Sequence, residues 1–552
     1  MQLALSTLLL AFTWVLWWLA LAGVGQVFRV RACPLFVRRA SWLGLFAVTL
    51  LSMILALLVP LGTPLARTVG WSIVVVGVAA AIVSGLWRRW RLILLITALA
   101  VITALMSSVP PSNYDLGLYH AGAISYVREG GTVVGLANLH DRFGFSSSMW
   151  PLSAFLGLGL WDSGEYRLVN GLLILLIAGE AAVRLRSSGR RDPSAILVLF
   201  AAVLLLGAVA HYPGRLVASS AQDWAVAALM VVSATYLLDA LPREASRAKA
   251  TTAVLIAAMA GAMRPTGWVF AVVTLLILGW VTLRSRGISA TFSRLLPGVF
   301  GLIALGSATA IRDLLSSGWL LFPARYFPLP VDWRYPDPEG TSAAITAWAR
   351  TPFQDPSVTL ADSSWITNWL LRLPADWGFF SFLVLGVGVI LCIAVLPSAR
   401  TALWRQRRVV ALGIAPSVAV LAAWIVVAPD PRFAWGPLLL VVLVPLSVLV
   451  SARAPDRTLG LAALAGIAIV VFAVGRGSLS EMTLQLHPLP IIDSQPVSLN
   501  DGSSVLVPSQ GDQCWGEFPL CRPWYSDPRI ELRGADWRSG FQPMSRLIES
   551  QE

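Results

Sequence analysis

Charged residues are scarce in this sequence. Asp, Glu, Lys and Arg make up 13% of the 552 residues, whereas hydrophobic residues make up 57%. Soluble domains ordinarily contain about 25% charged residues, so this chain has too little polar surface for a soluble enzyme of its size. The composition therefore indicates a protein for which lipid is a large part of the solvent.

Lysine and the motifs of soluble nucleotide-dependent enzymes are also missing. Lys249 is the single lysine. The sequence contains no glycine-rich phosphate loop that ends in lysine, no His-Glu-x-x-His zinc helix and no nucleophile elbow. We therefore do not expect ATP-driven chemistry from this chain alone, and an activated substrate would have to carry the energy for any reaction.

The formal net charge of +12 does not predict a nucleic-acid partner. A nucleic-acid binder needs its basic residues on one face or stripe, whereas the arginines here form short clusters between apolar runs. Such clusters are what the positive-inside rule expects of cytoplasmic loops. The basic composition therefore describes membrane topology.

Long apolar runs account for most of the chain. Runs of about 17–25 residues are long enough to span a bilayer, and they begin near residues 3, 42, 69, 92, 166, 195, 225, 250, 267, 296, 377, 409, 434 and 458. The sequence therefore predicts an all-α polytopic membrane protein with about fourteen transmembrane helices.

The linkers between these runs alternate in charge. Arginines concentrate in every second linker, at about 29–39, 88–91, 184–191, 243–249, 284–294, 400–408 and 453–457. The intervening linkers, at 60–68, 110–165, 211–224, 264–266, 316–376 and 429–433, hold more Pro, Asp, Trp and His. Cytoplasmic loops carry the excess of basic residues, so we expect a bacterial inner-membrane protein with both termini, and the region from about 477, outside the cytoplasm.

The polar segment 110–165 is the first candidate site. It contains two of the four histidines, and its candidate residues are Asp115, Tyr119, His120, Asn138, His140 and Arg142. Asp115 directly follows the fourth predicted span, so its carboxylate would lie at the membrane surface. A base at that position would meet the headgroup of a membrane-embedded substrate.

Two short linkers add ionisable residues near the same surface. Arg264 separates two apolar runs, and Asp430 and Arg432 lie in a Pro-Asp-Pro-Arg-Phe turn between two later ones. Ionisable residues at the membrane are costly and are functional candidates by default. The alternatives are that the arginines only snorkel at span ends, or that Asp430 and Arg432 simply pair with each other.

Cysteine is rare, with four residues in the chain. Cys514 and Cys521 lie in a carboxyl-terminal stretch rich in turn-forming residues, in a compartment that we expect to be oxidising. We predict a disulfide between them that clamps a small β or irregular domain starting near residue 490; two free thiols are the alternative.

Four segments resemble an uncharacterised bacterial membrane-protein family that is usually grouped with the GT-C glycosyltransferases. They are residues 114–120, 135–148 (Gly-Leu-Ala-Asn-Leu-His-Asp-Arg-Phe-Gly-Phe-Ser-Ser-Ser), 311–323, and 511–521 (Gly-Asp-Gln-Cys-Trp-Gly-Glu-Phe-Pro-Leu-Cys). GT-C enzymes carry their acidic loop after the first span, and here it follows the fourth. The resemblance therefore implies three additional helices within residues 1–91, a GT-C-like core over 92–476 with outer loops at 110–165 and 316–376, and an outer region over 477–552.

The resemblance implies transfer of a sugar from a polyprenyl-phosphate donor to a cell-envelope glycan or protein. Asp115 would act as the base, His120 and His140 would orient the acceptor or share its proton, and arginines would hold the departing phosphate. Substrate-binding roles would fall to Tyr119, Asn138, Arg142, Arg264, Asp430 and Arg432. No cofactor is expected and no metal ligand is assigned, although a divalent metal held by Asp115 and Asp430 is an alternative.

Two other classes of function fit a polytopic chain. A transporter or flippase of a lipid-linked saccharide would show repeats and broken helices in matching halves, and no repeat is evident by inspection. A non-catalytic partner in envelope-polymer assembly would use the outer regions for binding without turnover.

Overall fold

The computed structural model describes residues 5–27, 37–161, 163–187, 192–242, 247–453, 481–499, 502–523 and 530–544. These residues form twenty α-helices: α1 (Ser6–Val27), α2 (Val37–Leu58), α3 (Pro64–Val83), α4 (Trp90–Ser107), α5 (Ala121–Gly130), α6 (Met149–Leu156), α7 (Leu168–Ser187), α8 (Pro193–His211), α9 (Pro213–Leu216), α10 (Gln222–Ala240), α11 (Arg247–Met263), α12 (Thr266–Arg286), α13 (Ile288–Ser317), α14 (Pro338–Arg350), α15 (Pro356–Ala361), α16 (Trp365–Arg372), α17 (Trp377–Val395), α18 (Pro397–Arg405), α19 (Arg407–Val427) and α20 (Trp435–Arg453).

The multi-pass helical architecture predicted from the apolar runs is confirmed. Eleven helices in the described residues are long and apolar enough to cross a membrane, and a twelfth is counted if the bent pair Val384–Val395 and Pro397–Arg405 forms one broken span. Helix α11 has 17 residues, at the lower limit for a span. The expected count of fourteen stays a prediction, because the run near residue 458 lies outside the described residues.

Helix α1 lies at the centre of the first half of the bundle and packs against α2, α3, α4 and α7. Its buried tryptophans carry polar groups that find partners: Trp14 Nε1 donates to the Leu168 carbonyl at 2.9 Å, and Trp17 Nε1 donates to the Leu156 carbonyl at 2.9 Å. A buried indole N–H needs such a partner. The helices within residues 1–91 therefore share one core with the helices that follow them.

Helices α10 and α11 form the centre of the second half. Their contact surfaces are rich in alanine, and α11 is enclosed by α10, α12 and α13. Small side chains allow helix backbones to approach closely in a membrane, where dispersion contacts drive association. This close packing holds the ends of α10, α11 and α12 near one another.

Two proline-containing breaks bring later helices to the same end of the bundle. Helix α11 ends at Met263 and α12 begins at Thr266, because Pro265 lacks the N–H that would continue the helix. Helix α19 ends at Val427, and a turn through residues 429–431 precedes α20. Arg264 therefore lies in a turn between two helices, and Arg432 lies in the short 3-10 helix Pro431–Ala434 that leads into α20.

The described part of the carboxyl-terminal region contains little regular structure. Strands β1 (Ser494–Ser498) and β2 (Ser504–Pro508) pair antiparallel, as do β3 (Ile530–Leu532) and β4 (Phe541–Pro543). The region contacts the start of α1, where the Ser6 hydroxyl accepts the Leu486 N–H at 2.9 Å. The start of α1, residues 108–167 and the described part of 481–544 thus lie at one end of the bundle, which we call the loop end.

Candidate functional site

Asp115 stands where the chain leaves α4 and begins a new helical segment. The Asn113 Oδ1 atom accepts the Asp115 N–H at 3.0 Å and stabilises this turn. A wide π-helical turn over residues 116–120 then leads into α5. Such turns are rare in proteins, and many of those that occur lie at functional sites. The carboxylate of Asp115 is partly exposed at the loop end.

Arg432 connects Asp115 to a second carboxylate. Its Nη1 atom lies 2.9 Å from Asp115 Oδ2, and its Nε atom lies 3.5 Å from Asp430 Oδ2. The other carboxylate oxygen of Asp430 accepts the Arg432 backbone N–H at 3.1 Å, which caps the short 3-10 helix that begins at Pro431. Asp430 and Arg432 do pair with each other, and Arg432 also pairs with Asp115, 317 residues away in sequence.

A third acid completes the cluster. Asp223, in the first turn of α10, forms an ion pair with Arg264 and lies 4.0 Å from Arg432 Nε. The Phe433 ring lies beneath both guanidinium groups, with its centroid 3.6 Å from Arg264 Cζ and 5.0 Å from Arg432 Cζ. We refer to these five ionisable residues as the Asp–Arg cluster: Asp115, Asp223, Arg264, Asp430 and Arg432.

The cluster sets the protonation of its members. Burial by itself would raise the pKa of Asp115, but the charge of Arg432, followed by those of His120, Arg264 and Arg142, outweighs burial and lowers that pKa. Burial, together with repulsion from Arg432, lowers the pKa of Arg264 to about 10. At neutral pH, Asp115 is therefore a carboxylate and Arg264 remains a cation.

An aromatic wall flanks Asp115. The His120 ring packs against Tyr119 and Trp150, at centroid distances of 4.4 and 4.6 Å. Its Nδ1 atom lies 3.1 Å from the Ser220 hydroxyl, while its buried Nε2 atom has no hydrogen-bond partner among the described residues. Burial lowers the pKa of His120 to about 4. His120 is thus a neutral imidazole beside the cluster.

Two other predicted site residues, Asn138 and His140, lie outside the Asp–Arg cluster. Asn138 Nδ2 donates to the carbonyls of Gly135 and Trp333 at 3.1 and 2.9 Å, so this amide holds two segments together. His140 Nε2 lies 3.5 Å from Asp141 Oδ1, whose other oxygen accepts the Thr341 hydroxyl at 3.0 Å. Burial lowers the pKa of His140 to about 4. The structure therefore does not bring Asn138 and His140 into the Asp–Arg cluster.

Arg142 lies between Asp141 and the Asp–Arg cluster. Its Nε atom is 3.8 Å from Asp141 Oδ1, and its guanidinium packs over the Phe145 ring with the centroid 5.6 Å away. Its charge nevertheless contributes to the lowered pKa of Asp115. Arg142 is therefore a peripheral cation of the cluster.

The disulfide loop of the carboxyl-terminal region covers the turn that carries Asp115. Cys514 and Cys521 are joined by a disulfide with a Cα–Cα distance of 5.9 Å. The Trp515 N–H donates to the Gly117 carbonyl at 2.8 Å, and a Cβ atom at Gly117 would approach the Trp515 ring to 2.6 Å. Only glycine therefore permits this contact, two residues from Asp115.

Sequence reasoning missed Asp223. The available signal was its position at the loop end of a predicted span, which is the argument that singled out Asp115. The cover by residues 512–515 had no comparable signal, because those contacts join positions about 400 residues apart, such as Gln513 Nε2 and the Tyr114 carbonyl at 2.8 Å. In the described part of the chain, no group of three or more His, Cys, Asp or Glu side chains is arranged to hold a metal ion.

The arrangement can bind an anion in an exchangeable way. Two guanidinium groups lie at a partly exposed surface, and Arg432 is shared among the carboxylates of Asp115, Asp223 and Asp430. An incoming phosphate can replace one carboxylate, because arginine binds carboxylate and phosphate with the same bidentate geometry.

Comparisons with known proteins give one match. Searches of curated proteins and of solved structures find nothing similar to this chain. One family model covers residues 4–439, a range that runs through residue 91, where the resemblance implied that an amino-terminal addition ends. The chain belongs to the family described as Domain of unknown function (DUF8201).

Proposed function

We propose that the protein is a membrane glycosyltransferase that transfers a sugar from a polyprenyl-phosphate donor to a cell-envelope glycan or protein. The observation that supports this proposal is the Asp–Arg cluster. It combines a carboxylate, Asp115, with two guanidinium groups at the end of the helix bundle. Transfer from a lipid phosphate needs these two components, a base and a binding site for the leaving phosphate.

The ion pairs suggest how the donor is bound. In the free protein, Arg432 is paired with Asp115 and Asp430, and Arg264 with Asp223. The donor phosphate would take the outer face of both arginines and displace Asp115 from Arg432. Asp223 and Asp430 would keep the two guanidinium groups in position, since Asp430 is held by the backbone of its own turn.

Displacement from Arg432 also prepares Asp115 as a base. Its pKa is low because of the neighbouring positive charges, and a phosphate that neutralises those charges raises it toward the range of a useful proton acceptor. The aromatic wall of Tyr119, His120 and Trp150 lies beside Asp115. This wall offers an apolar face against which the sugar or the acceptor can pack.

The reaction follows from these roles. The acceptor hydroxyl oxygen attacks the anomeric carbon of the sugar, and its proton passes to the Asp115 carboxylate. The bond between the anomeric carbon and the phosphate oxygen breaks, and the oxygen keeps the electron pair. Arg264 and Arg432 stabilise the resulting polyprenyl phosphate. A single displacement of this kind inverts the configuration at the anomeric carbon.

We further propose that the loop end faces the extracytoplasmic side of a bacterial inner membrane. The basic linkers would then all be cytoplasmic, as the positive-inside rule requires. Alkaline phosphatase fused after residue 552 should be active, and the same enzyme inserted at 400–408 should be inactive. The reverse pattern would place the cluster in the cytoplasm and would overturn the assignment to envelope chemistry.

Transfer itself is tested with radiolabelled polyprenyl-phosphate sugars and membranes that contain equal amounts of protein. Asp115→Asn should reduce transfer by about 10²- to 10⁴-fold, the usual contribution of a general base, without changing the amount of folded protein. Asp141→Asn is the matched control, because Asp141 lies in the same outer segment but outside the cluster; its effect should be mild.

The outcomes separate the classes of function. Near-normal transfer by Asp115→Asn would show that the base is a different residue. Saturable donor binding that depends on Arg432, without any consumption of donor, would instead indicate a flippase or an assembly partner that uses the same phosphate site.

A further inference from the structure

Arg312 is a buried cation outside the Asp–Arg cluster. It lies in α13, and its side chain is 6% exposed. Among the described residues it forms no ion pair within 4.0 Å, and Asp313 is the charged residue that interacts with it electrostatically. Its Nε atom has no hydrogen-bond partner there, and its Nη1 atom donates to the Met53 sulfur, a weak acceptor, at 3.6 Å. An arginine remains charged in proteins, and an isolated buried charge is strongly unfavourable.

The neighbouring acid, Asp313, accepts a hydrogen bond from the backbone of another segment. Asp313 follows Arg312 on the helix, where successive side chains point about 100° apart. Its Oδ1 atom accepts the Ser146 N–H at 3.1 Å. The backbone amide of Ser146 thus occupies one oxygen of the carboxylate. Asp313 interacts with Arg312 through its charge, without an ion pair between them within 4.0 Å, and the Arg312 guanidinium also lines a cavity.

This cavity is small. Arg312 lines a space of about 20 Å³ together with Trp150, and the rest of the lining combines polar side chains, among them Thr132, Ser146 and Ser316, with apolar ones such as Val127 and Leu136. The buried Nε1 atom of Trp150 also has no hydrogen-bond partner among the described residues. The hydroxyl of Ser316 already donates within the protein. Two residues that line this cavity, Arg312 and Trp150, therefore each have a buried N–H without a hydrogen-bond acceptor among the described residues.

We propose that this cavity is a binding site for a single monovalent anion of the size of chloride. The volume exceeds the roughly 10–15 Å³ that one water molecule needs, so it suits a single small occupant. An anion would accept from both donors and would neutralise Arg312. A water molecule could also accept from them, but it would leave the positive charge of Arg312 without a neutralising partner in the cavity.

Thermal unfolding of the full chain in lipid nanodiscs tests the site. At constant ionic strength, replacing sodium gluconate by sodium chloride should raise the unfolding midpoint by about 1–3 °C and should saturate. Arg312→Met should abolish this chloride dependence. Arg294→Met is the matched control on the same helix, because Arg294 is equally buried but donates to Thr282 Oγ1 at 3.0 Å and to the Ala240 carbonyl at 2.8 Å; this variant should keep the chloride dependence.

Bromide provides a test that does not depend on the folding of a variant. In crystals of the wild-type protein grown in sodium bromide, an anomalous peak beside the Arg312 guanidinium would support the site. A cavity without an anomalous peak, or an Arg312→Met variant with the full chloride dependence, would overturn the proposal.

Discussion

Two charged clusters at different places in this protein have the same formal charge balance and opposite access to solvent. The Asp–Arg cluster sets three carboxylates against two guanidinium groups. A second group, the buried triad of Glu180, Arg184 and Asp239, sets two carboxylates against one. Each therefore has one negative charge in excess. Side-chain exposure is 14–23% in the Asp–Arg cluster and 0–8% in the triad.

The buried triad is tightly hydrogen-bonded. Arg184 Nε lies 2.5 Å from Glu180 Oε1, and Arg184 Nη1 lies 2.9 Å from Asp239 Oδ2. Trp42 and Tyr236 each donate to the second oxygen of Glu180 at 3.2 Å. These partners come from α2, α7 and α10, so the triad joins three helices. Arg184 Nη2 lacks a hydrogen-bond partner among the described residues, but the triad is almost fully buried, so water has little access to exchange its ion pairs.

The two groups differ in solvent access and not in charge balance, and solvent access is what makes the Asp–Arg cluster a candidate binding site and the triad a structural element. The Asp–Arg cluster assembles from helix ends and turns, where a ligand can compete with the internal ion pairs. The triad lies within helices, and Arg184 follows Glu180 by one helical turn. Ionisable residues at the membrane are functional candidates by default, and both groups contain them. Only the Asp–Arg cluster is exposed enough to exchange its ion-pair partners for a ligand. Four predictions test this distinction, from the largest expected effect to the smallest.

Arg184→Met should destabilise the protein by about 3–5 kcal/mol, because it leaves two buried carboxylates without their counter-charge. The transfer rate per folded molecule should stay unchanged. Thermal unfolding followed by size-exclusion chromatography measures the loss. Arg325→Met serves as the control, since the Arg325–Glu339 pair is exposed and such pairs contribute little. An Arg184→Met protein as stable as the control would contradict the structural role of the buried triad.

Replacing both Cys514 and Cys521 by serine should destabilise the carboxyl-terminal region by about 2–3 kcal/mol, the expected contribution of closing so short a loop. Limited proteolysis should then cut the region faster, and transfer should slow about two- to fivefold, roughly 0.5–1 kcal/mol, as Trp515 loses its fixed contact with Gly117. Cys392→Ser controls for the loss of a thiol. Mass spectrometry of a non-reduced digest checks the bond directly, and two freely alkylated cysteines would contradict its presence.

Arg432→Lys should raise the KM for the donor about tenfold, roughly 1.4 kcal/mol, with a smaller change in kcat. Lysine keeps the charge but loses the fork that can hold a phosphate and Asp430 together. Steady-state kinetics with increasing donor concentration measures the effect. Arg142→Lys is the comparison at the edge of the cluster and should change KM little. Equal effects of the two variants would argue against a specific phosphate position at Arg432.

The fourth prediction concerns the pH dependence of kcat/KM. It should change activity least at neutral pH, but it reports specifically on the ionisation of Asp115. In the proposed mechanism Asp115 must be deprotonated to act as the base, and its pKa lies below the ordinary value of 3.8. Activity is therefore lost as pH falls through that low value, and kcat/KM should be flat from pH 8 to about pH 5. Arg432→Met removes the charge that most strongly lowers the pKa of Asp115, so burial should raise that pKa. The acid limb should therefore move up by roughly 1–3 pH units. An acid limb that does not move would separate Asp115 from the rate.

Much of the cluster was predictable from single positions. Asp115, Arg264, Asp430 and Arg432 were candidates because each lies where an apolar run ends, and a helix of known length places such residues at a membrane surface. Their pairing was not predictable, since Asp115 and Arg432 are 317 residues apart and helix order in a bundle leaves no local signal. His140 and Asn138 lie close to Asp115 in sequence, but the turns between α5 and α6 carry them away from the Asp–Arg cluster.

The sequence by itself determined that this chain is a multi-pass helical membrane protein, because hydropathy over about twenty residues decides whether a segment spans lipid, independently of its neighbours. Tertiary structure alone decided which ionisable residues meet. Arg184 looked like one more cytoplasmic arginine until packing enclosed it between Glu180 and Asp239. Asp223 looked like a span end until α10 brought it to Arg264. Electrostatic partners act over a few ångströms in three dimensions, and only the packing of helices far apart in sequence brings them within that range.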